Sequence, residues 1–155
     1  MNRRAPWLVI LIALAIFISV HGAFSQGDSR AARKVINSPS NTGQLPFSDG
    51  IQSGDTLYLS GKIGIDPKTG KAYEKIDDEI AAVLANVKAT LVQSNMTMDD
   101  LVYVQVFCTD LKYYDKFNAA YRLNFTKEFP TRAFIGVASL VRDGHFEVQG
   151  IAVRH

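Results

Sequence analysis

Few residues in this chain are equipped for chemistry, and Arg132 stands out among them. It follows Pro130-Thr131 at the entrance to an apolar stretch, so rigid backbone would present its guanidinium at the end of a strand. That placement suits bidentate capture of a carboxylate. A structural salt bridge to Glu147 or Asp143 would account for a strand-end arginine equally well. The histidines are His21, His145 and His155. The first lies in an apolar N-terminal segment, the last ends the chain, and His145 reads as a solvated turn residue, so no nucleophilic triad can be assembled. Cys108 is the single cysteine, which excludes an internal disulfide and, with so few histidines, a Cys/His zinc site. It reads as a small core residue rather than a nucleophile. Asp77-Asp78-Glu79 are consecutive, so on a helix they point to different sides and are no metal cluster. They read instead as the acidic first turn that a helix dipole favours. A Gly-rich phosphate loop and a dinucleotide fingerprint are both absent from the sequence.

Elements must hold these residues in place. Val35-Ile36 is a candidate short strand, and Gly50 to Ser53 and Thr56 to Ser60 read as two strands joined at Ser53-Gly54-Asp55. Asp66-Pro67-Lys68-Thr69-Gly70 has the chemistry of a turn. Ile76, Ile80, Val83, Leu84, Val87 and Leu91 recur at helical spacing, which predicts a helix from about Ile76 to Ser94 with one apolar stripe. Leu101 to Cys108 alternates as a strand. A second helix is expected from about Tyr113 to Thr126, with Phe117, Ala120, Tyr121 and Phe125 on one side. Ala133 to Ser139 and His145 to Val153 would form a final strand pair around Arg142-Asp143-Gly144. The order predicts an α+β layer, a mixed sheet with two helices packed on one face. Tyr103, Phe107, Phe134 and Ile151 are expected on the other, uncovered face, where oligomerisation would bury them.

The N-terminus carries Arg3-Arg4, then a run from Trp7 to Val20 that is apolar except for Ser19, then small residues at Ala23 and Ser25. This pattern predicts a secretory signal over residues 1–25, cleaved before Gln26, with an uncleaved anchor as the alternative. Residues 26–33 read as a flexible tail and 34–155 as one domain. Of the 17 Lys and Arg in the chain, the leader holds two, which leaves 15 basic residues against 15 acidic ones. A near-neutral domain has no electrostatic footprint for nucleic acid or an anionic membrane. The expected location is periplasmic or secreted, with no membrane attachment after cleavage.

Several runs resemble those of the RidA/YjgF family of reactive-intermediate deaminases. They are Gly54 to Ile63, Asp66-Pro67-Lys68-Thr69-Gly70, Val83 to Lys88, Asp99 to Val102, Val106 to Asp110, Phe117-Asn118 and Phe129-Pro130-Thr131-Arg132-Ala133. The resemblance implies a chorismate-mutase-like fold, a homotrimeric barrel with ligand clefts between subunits, and hydrolysis of 2-imino or 2-enamino acids to 2-oxo acids and ammonia. It implies neither metal nor organic cofactor. On the family's pattern, Arg132 falls on the carboxylate-binding arginine, Gly61 on the cleft glycine and Asn118 on the asparagine of the second helix. Phe47 stands where a tyrosine is frequent and Phe134 where a cysteine is. The carboxylate that holds the attacking water falls on Gln149, a neutral amide that can orient water but cannot take its proton. Glu147 lies two residues away and points to the same strand face. The two readings carried forward are therefore a deaminase whose catalysis depends on what replaces that carboxylate, and a non-catalytic trimeric binding protein for small carboxylate metabolites.

Overall fold

A computed structural model describes residues 32–39 and 41–155. The expected leader over residues 1–25, and most of the tail after it, lie outside the described residues. Six strands form one sheet: β1 (Arg33–Ile36), β2 (Gly50–Ser53), β3 (Thr56–Ile63), β4 (Leu101–Cys108), β5 (Thr131–Gly136) and β6 (Phe146–Val153). Among the described residues two α-helices, α1 (Ile76–Val92) and α2 (Tyr114–Arg122), accompany them.

Local chemistry explains the first half. Gly54 has φ +59° between paired Ser53 and Thr56, a left-handed turn position that glycine adopts without strain. In α1, Ile80, Val83, Leu84, Val87 and Leu91 are all buried, and this stripe lies across β3 and β6. It meets Leu57, Leu59, Val148 and Ala152 from those strands to form the core. Phe117 from α2 packs on Phe146 and Phe134, with ring centroids 5.2 and 5.6 Å apart.

The sheet order is β1-β2-β3-β6-β4-β5, with β4 and β5 parallel and every other pair antiparallel. This arrangement departs from the expected one. The sheet ends in free edges at β1 and β5 and does not close into a barrel. The last two strands do not pair with each other, because β6 inserts between β3 and β4 and leaves β5 on the outer side of β4. Phe134 also departs from expectation. It faces α2 with Arg132, and Tyr103, Phe107 and Ile151 stay half-buried on the opposite face.

Glu79 does more than decorate the start of a helix. It is fully buried, and its Oε1 accepts the backbone N–H groups of His145 (2.6 Å) and Phe146 (3.0 Å). Its Oε2 lies 2.7 Å from His145 Nδ1. His145 is thus tied to α1 instead of standing free in a turn, and the carboxylate fixes where β6 begins. Glu79→Ala leaves the buried Phe146 N–H and the partly buried His145 N–H without acceptors. The expected loss is about 3 kcal/mol in urea unfolding, against less than about 1 kcal/mol for the exposed Asp77→Ala, whose partner is Lys116.

Candidate functional site

The β5 strand sets Arg132 in place. Pro130 precedes the strand, and Thr131 Oγ1 donates to the Val102 carbonyl at 2.7 Å, which pins β5 to β4. The Arg132 side chain turns toward α2, where Tyr114, Asn118 and Tyr121 recur at four- and three-residue steps and share one helix face. Asn118 Oδ1 accepts from Arg132 Nη2 at 2.7 Å. The guanidinium stands 4.8 Å from the Tyr121 ring, 5.7 Å from Phe134 and 6.0 Å from Tyr114, distances at which the ring quadrupole attracts a cation. Burial pushes the Tyr121 hydroxyl up to about 12, against a smaller opposing effect of Arg132. Arg132, Tyr114, Asn118 and Tyr121 border a cavity of about 270 Å³.

The salt bridge that could have explained Arg132 is not formed. Asp143 pairs with Lys71 instead, Glu147 sits on the other face of the sheet, and among the described residues no carboxylate pairs with Arg132. Neither Tyr114 nor Tyr121 was singled out from sequence as a partner of Arg132, although their helical spacing from Asn118 was visible there.

A second group of residues occupies the opposite face. Glu147 alternates with the buried Phe146 and Val148, so its side chain leaves the core. The pairing of β3 with β6 shifts register between Leu59 and Lys62, and that irregularity brings Gly61 beneath Glu147. A Cβ built on Gly61 would lie 1.7 Å from Glu147 Oε1, so this close approach requires glycine. Burial raises the Glu147 carboxyl above its ordinary value. Gln149 is two residues along on the same face, and its Nε2 donates to Gln105 Oε1 at 2.6 Å across the β4–β6 ladder. Phe47 is half-exposed on the loop before β2, and Asn41 Nδ2 bonds to its carbonyl at 3.3 Å. It borders a separate depression with Tyr58 and Ser60.

The structure therefore gathers Arg132, Asn118 and Phe134 on the helix side and Gly61, Glu147 and Gln149 on the open side. Gly61→Ala probes the second group. The clash falls on the flexible end of Glu147, so the fold should survive with a melting midpoint within about 5 °C while the carboxylate is displaced. Activity should fall at least about tenfold if Glu147 moves the proton.

Cys108 is buried with its Sγ 3.1 Å from the Asp110 carbonyl, and burial raises its thiol, which suits a core residue rather than a nucleophile. Among the described residues, no group of three or more His, Cys, Asp or Glu could hold a metal ion.

The family described as Endoribonuclease L-PSP matches residues 36–154. The chain is 37% identical over 108 residues to a RutC family protein of Saccharolobus solfataricus, covering 69% of this chain and 86% of that protein. It is 36% identical over 121 residues to the 2-iminobutanoate/2-iminopropanoate deaminase of Salmonella typhimurium, covering 76% and 93%. The crystal structure of Escherichia coli TdcF with bound serine superimposes with a TM-score of 0.72 at 32% identity, over 79% of this chain and 99% of that one.

Proposed function

Since the chain belongs to the RidA/YjgF/TdcF family, we propose that it is an imine deaminase that hydrolyses small 2-imino acids to 2-oxo acids and ammonia. The observation that carries this reading is the Arg132 guanidinium, which is oriented by Asn118 and Tyr121, has no carboxylate partner among the described residues, and opens on a cavity. A planar guanidinium with free donors selects a carboxylate.

In this reading Arg132 binds the substrate carboxylate, with Asn118 holding its fork and the Phe134 ring seated beside its guanidinium. Water attacks C2 of the imine while Glu147 takes one of its protons and hands it to the nitrogen, which gives the carbinolamine; Glu147 then carries the hydroxyl proton to the same nitrogen, the C2–N bond breaks, the 2-oxo carbonyl forms and ammonia leaves. A carboxyl raised by burial is closer to working pH than an ordinary one and so moves protons in both directions more readily. Gln149, braced by Gln105, flanks the water as a hydrogen-bond partner, and Gly61 lets the Glu147 carboxylate lie against the strand. Phe47 borders the substrate.

Arg132 and Glu147 lie on opposite faces of one sheet. In our reading the complete site is therefore built between neighbouring copies in a homotrimer, with Arg132 from one and Glu147 from the next. Export through the 1–25 leader to a periplasmic or extracellular location is part of the same proposal.

The test is ammonia release from 2-iminobutanoate generated in the cuvette by an amino-acid oxidase, corrected for spontaneous hydrolysis. Acceleration that is lost in Arg132→Ala supports the deaminase. Saturable binding of 2-oxobutanoate without acceleration would instead favour the non-catalytic binding protein.

A further inference from the structure

The cavity at Arg132 holds a second arginine. Arg122, in the last turn of α2, lines it with Tyr121, Phe129 and Arg132. Its guanidinium stands 5.5 Å from the Phe129 ring, and Arg132 stands 4.8 Å from Tyr121. The two rings have centroids 6.5 Å apart, so each cation has its own aromatic seat. No acidic residue lines the cavity, and among the described residues neither arginine is paired with a carboxylate. Lys71, Lys112 and Lys116 pair with Asp143, Asp110 and Asp77, and Arg142 and Arg154 donate to the Gly70 and Ser94 carbonyls. Tyr121, which lines the same cavity, carries a buried hydroxyl with no hydrogen-bond partner among the described residues.

Two uncompensated guanidinium groups around one small cavity repel each other and attract anions. A ligand with one carboxylate satisfies Arg132 and leaves Arg122 unanswered. We propose that this cavity is specific for small acids that carry a second carboxylate, and that Arg122 is the residue that selects them. The inference rests on the carboxylate-binding role of Arg132 proposed above. It assigns the substrate class as 2-imino dicarboxylic acids and their 2-oxo products. The second carboxylate approaches Arg122 from the solvent side, where Phe129 is half-exposed.

The experiment is calorimetric binding of 2-oxoglutarate and 2-oxobutanoate to the purified protein at low salt, with Arg122→Gln and Arg122→Glu measured alongside. The wild type should bind 2-oxoglutarate about tenfold more tightly, a modest ratio because an exposed cation is partly screened. Arg122→Gln should bring the ratio near unity and Arg122→Glu should invert it, with thermal midpoints close to wild type. Equal affinities in the wild type, or a preference that survives Arg122→Glu, overturns the assignment. If 2-oxobutanoate still binds in an Arg132-dependent way, only the role of Arg122 has failed. If neither acid binds, the carboxylate-site reading fails with it.

Discussion

Replacing Arg132 with alanine is expected to weaken binding of 2-oxo acids at least about a hundredfold, as for loss of a charge-assisted bidentate contact to a ligand carboxylate. The same substitution should leave the fold intact. Arg132 leaves no buried carboxylate behind when removed, and what it gives up within the chain is one hydrogen bond to Asn118 and contact with three rings. That internal loss amounts to about 1 to 2 kcal/mol. Titration calorimetry paired with a thermal melt separates the two effects. Collapse of the fold, or binding that persists, would make Arg132 a structural residue. Arg132→Lys should recover only a small part of the affinity, because an ammonium cannot present two parallel donors.

Glu147→Gln is expected to lower imine hydrolysis by about 10² to 10⁴, the usual contribution of a positioned acid–base group, with little change in 2-oxo acid binding. The direction of its pKa adds a second signature. Because burial raises the carboxyl, the rate should climb with pH through a value above the ordinary carboxylate range, and that limb should vanish in Glu147→Gln. Stability follows with the opposite sense. Between the unfolded and the raised folded value, the native state holds a proton that the unfolded chain has lost, so stability falls as pH rises through that window. Glu147→Gln should flatten this fall, which denaturant unfolding at several pH values would reveal. An unchanged pH–rate profile would move the proton-transfer role elsewhere, with Gln149-bound water the next candidate.

The contrast between Glu147 and Gln149 marks where sequence patterning stops being informative. The two residues share a strand face by simple alternation, so a period of two cannot choose between them. The choice comes from the shift in β3–β6 pairing near Gly61, a long-range feature with no local signature. Elements that depend on short-range chemistry were legible. The amphipathic spacing from Ile76 placed α1 within two residues of its end at Val92, and the alternation from Leu101 matched β4.

Strand order was not legible, because β6 reaches its place between β3 and β4 through pairings far apart in sequence. The face of β5 was misread for a related reason. Arg132 and Phe134 point to the helix side, and a charged residue in that register looks solvent-facing until Asn118 and Tyr121 are placed around it. His145 looked like a turn residue because its partner, Glu79, is 66 positions away.

The proposed site is shared between copies of the chain, and mixing of subunits tests that sharing. Arg132→Ala and Glu147→Gln should each be inactive alone in the ammonia-release assay. Co-expressed in equal amounts and purified together, they should assemble some clefts in which a native Arg132 meets a native Glu147. Random mixing predicts recovery of about a quarter of wild-type activity. A co-purified mixture as inactive as its parents would contradict the shared site.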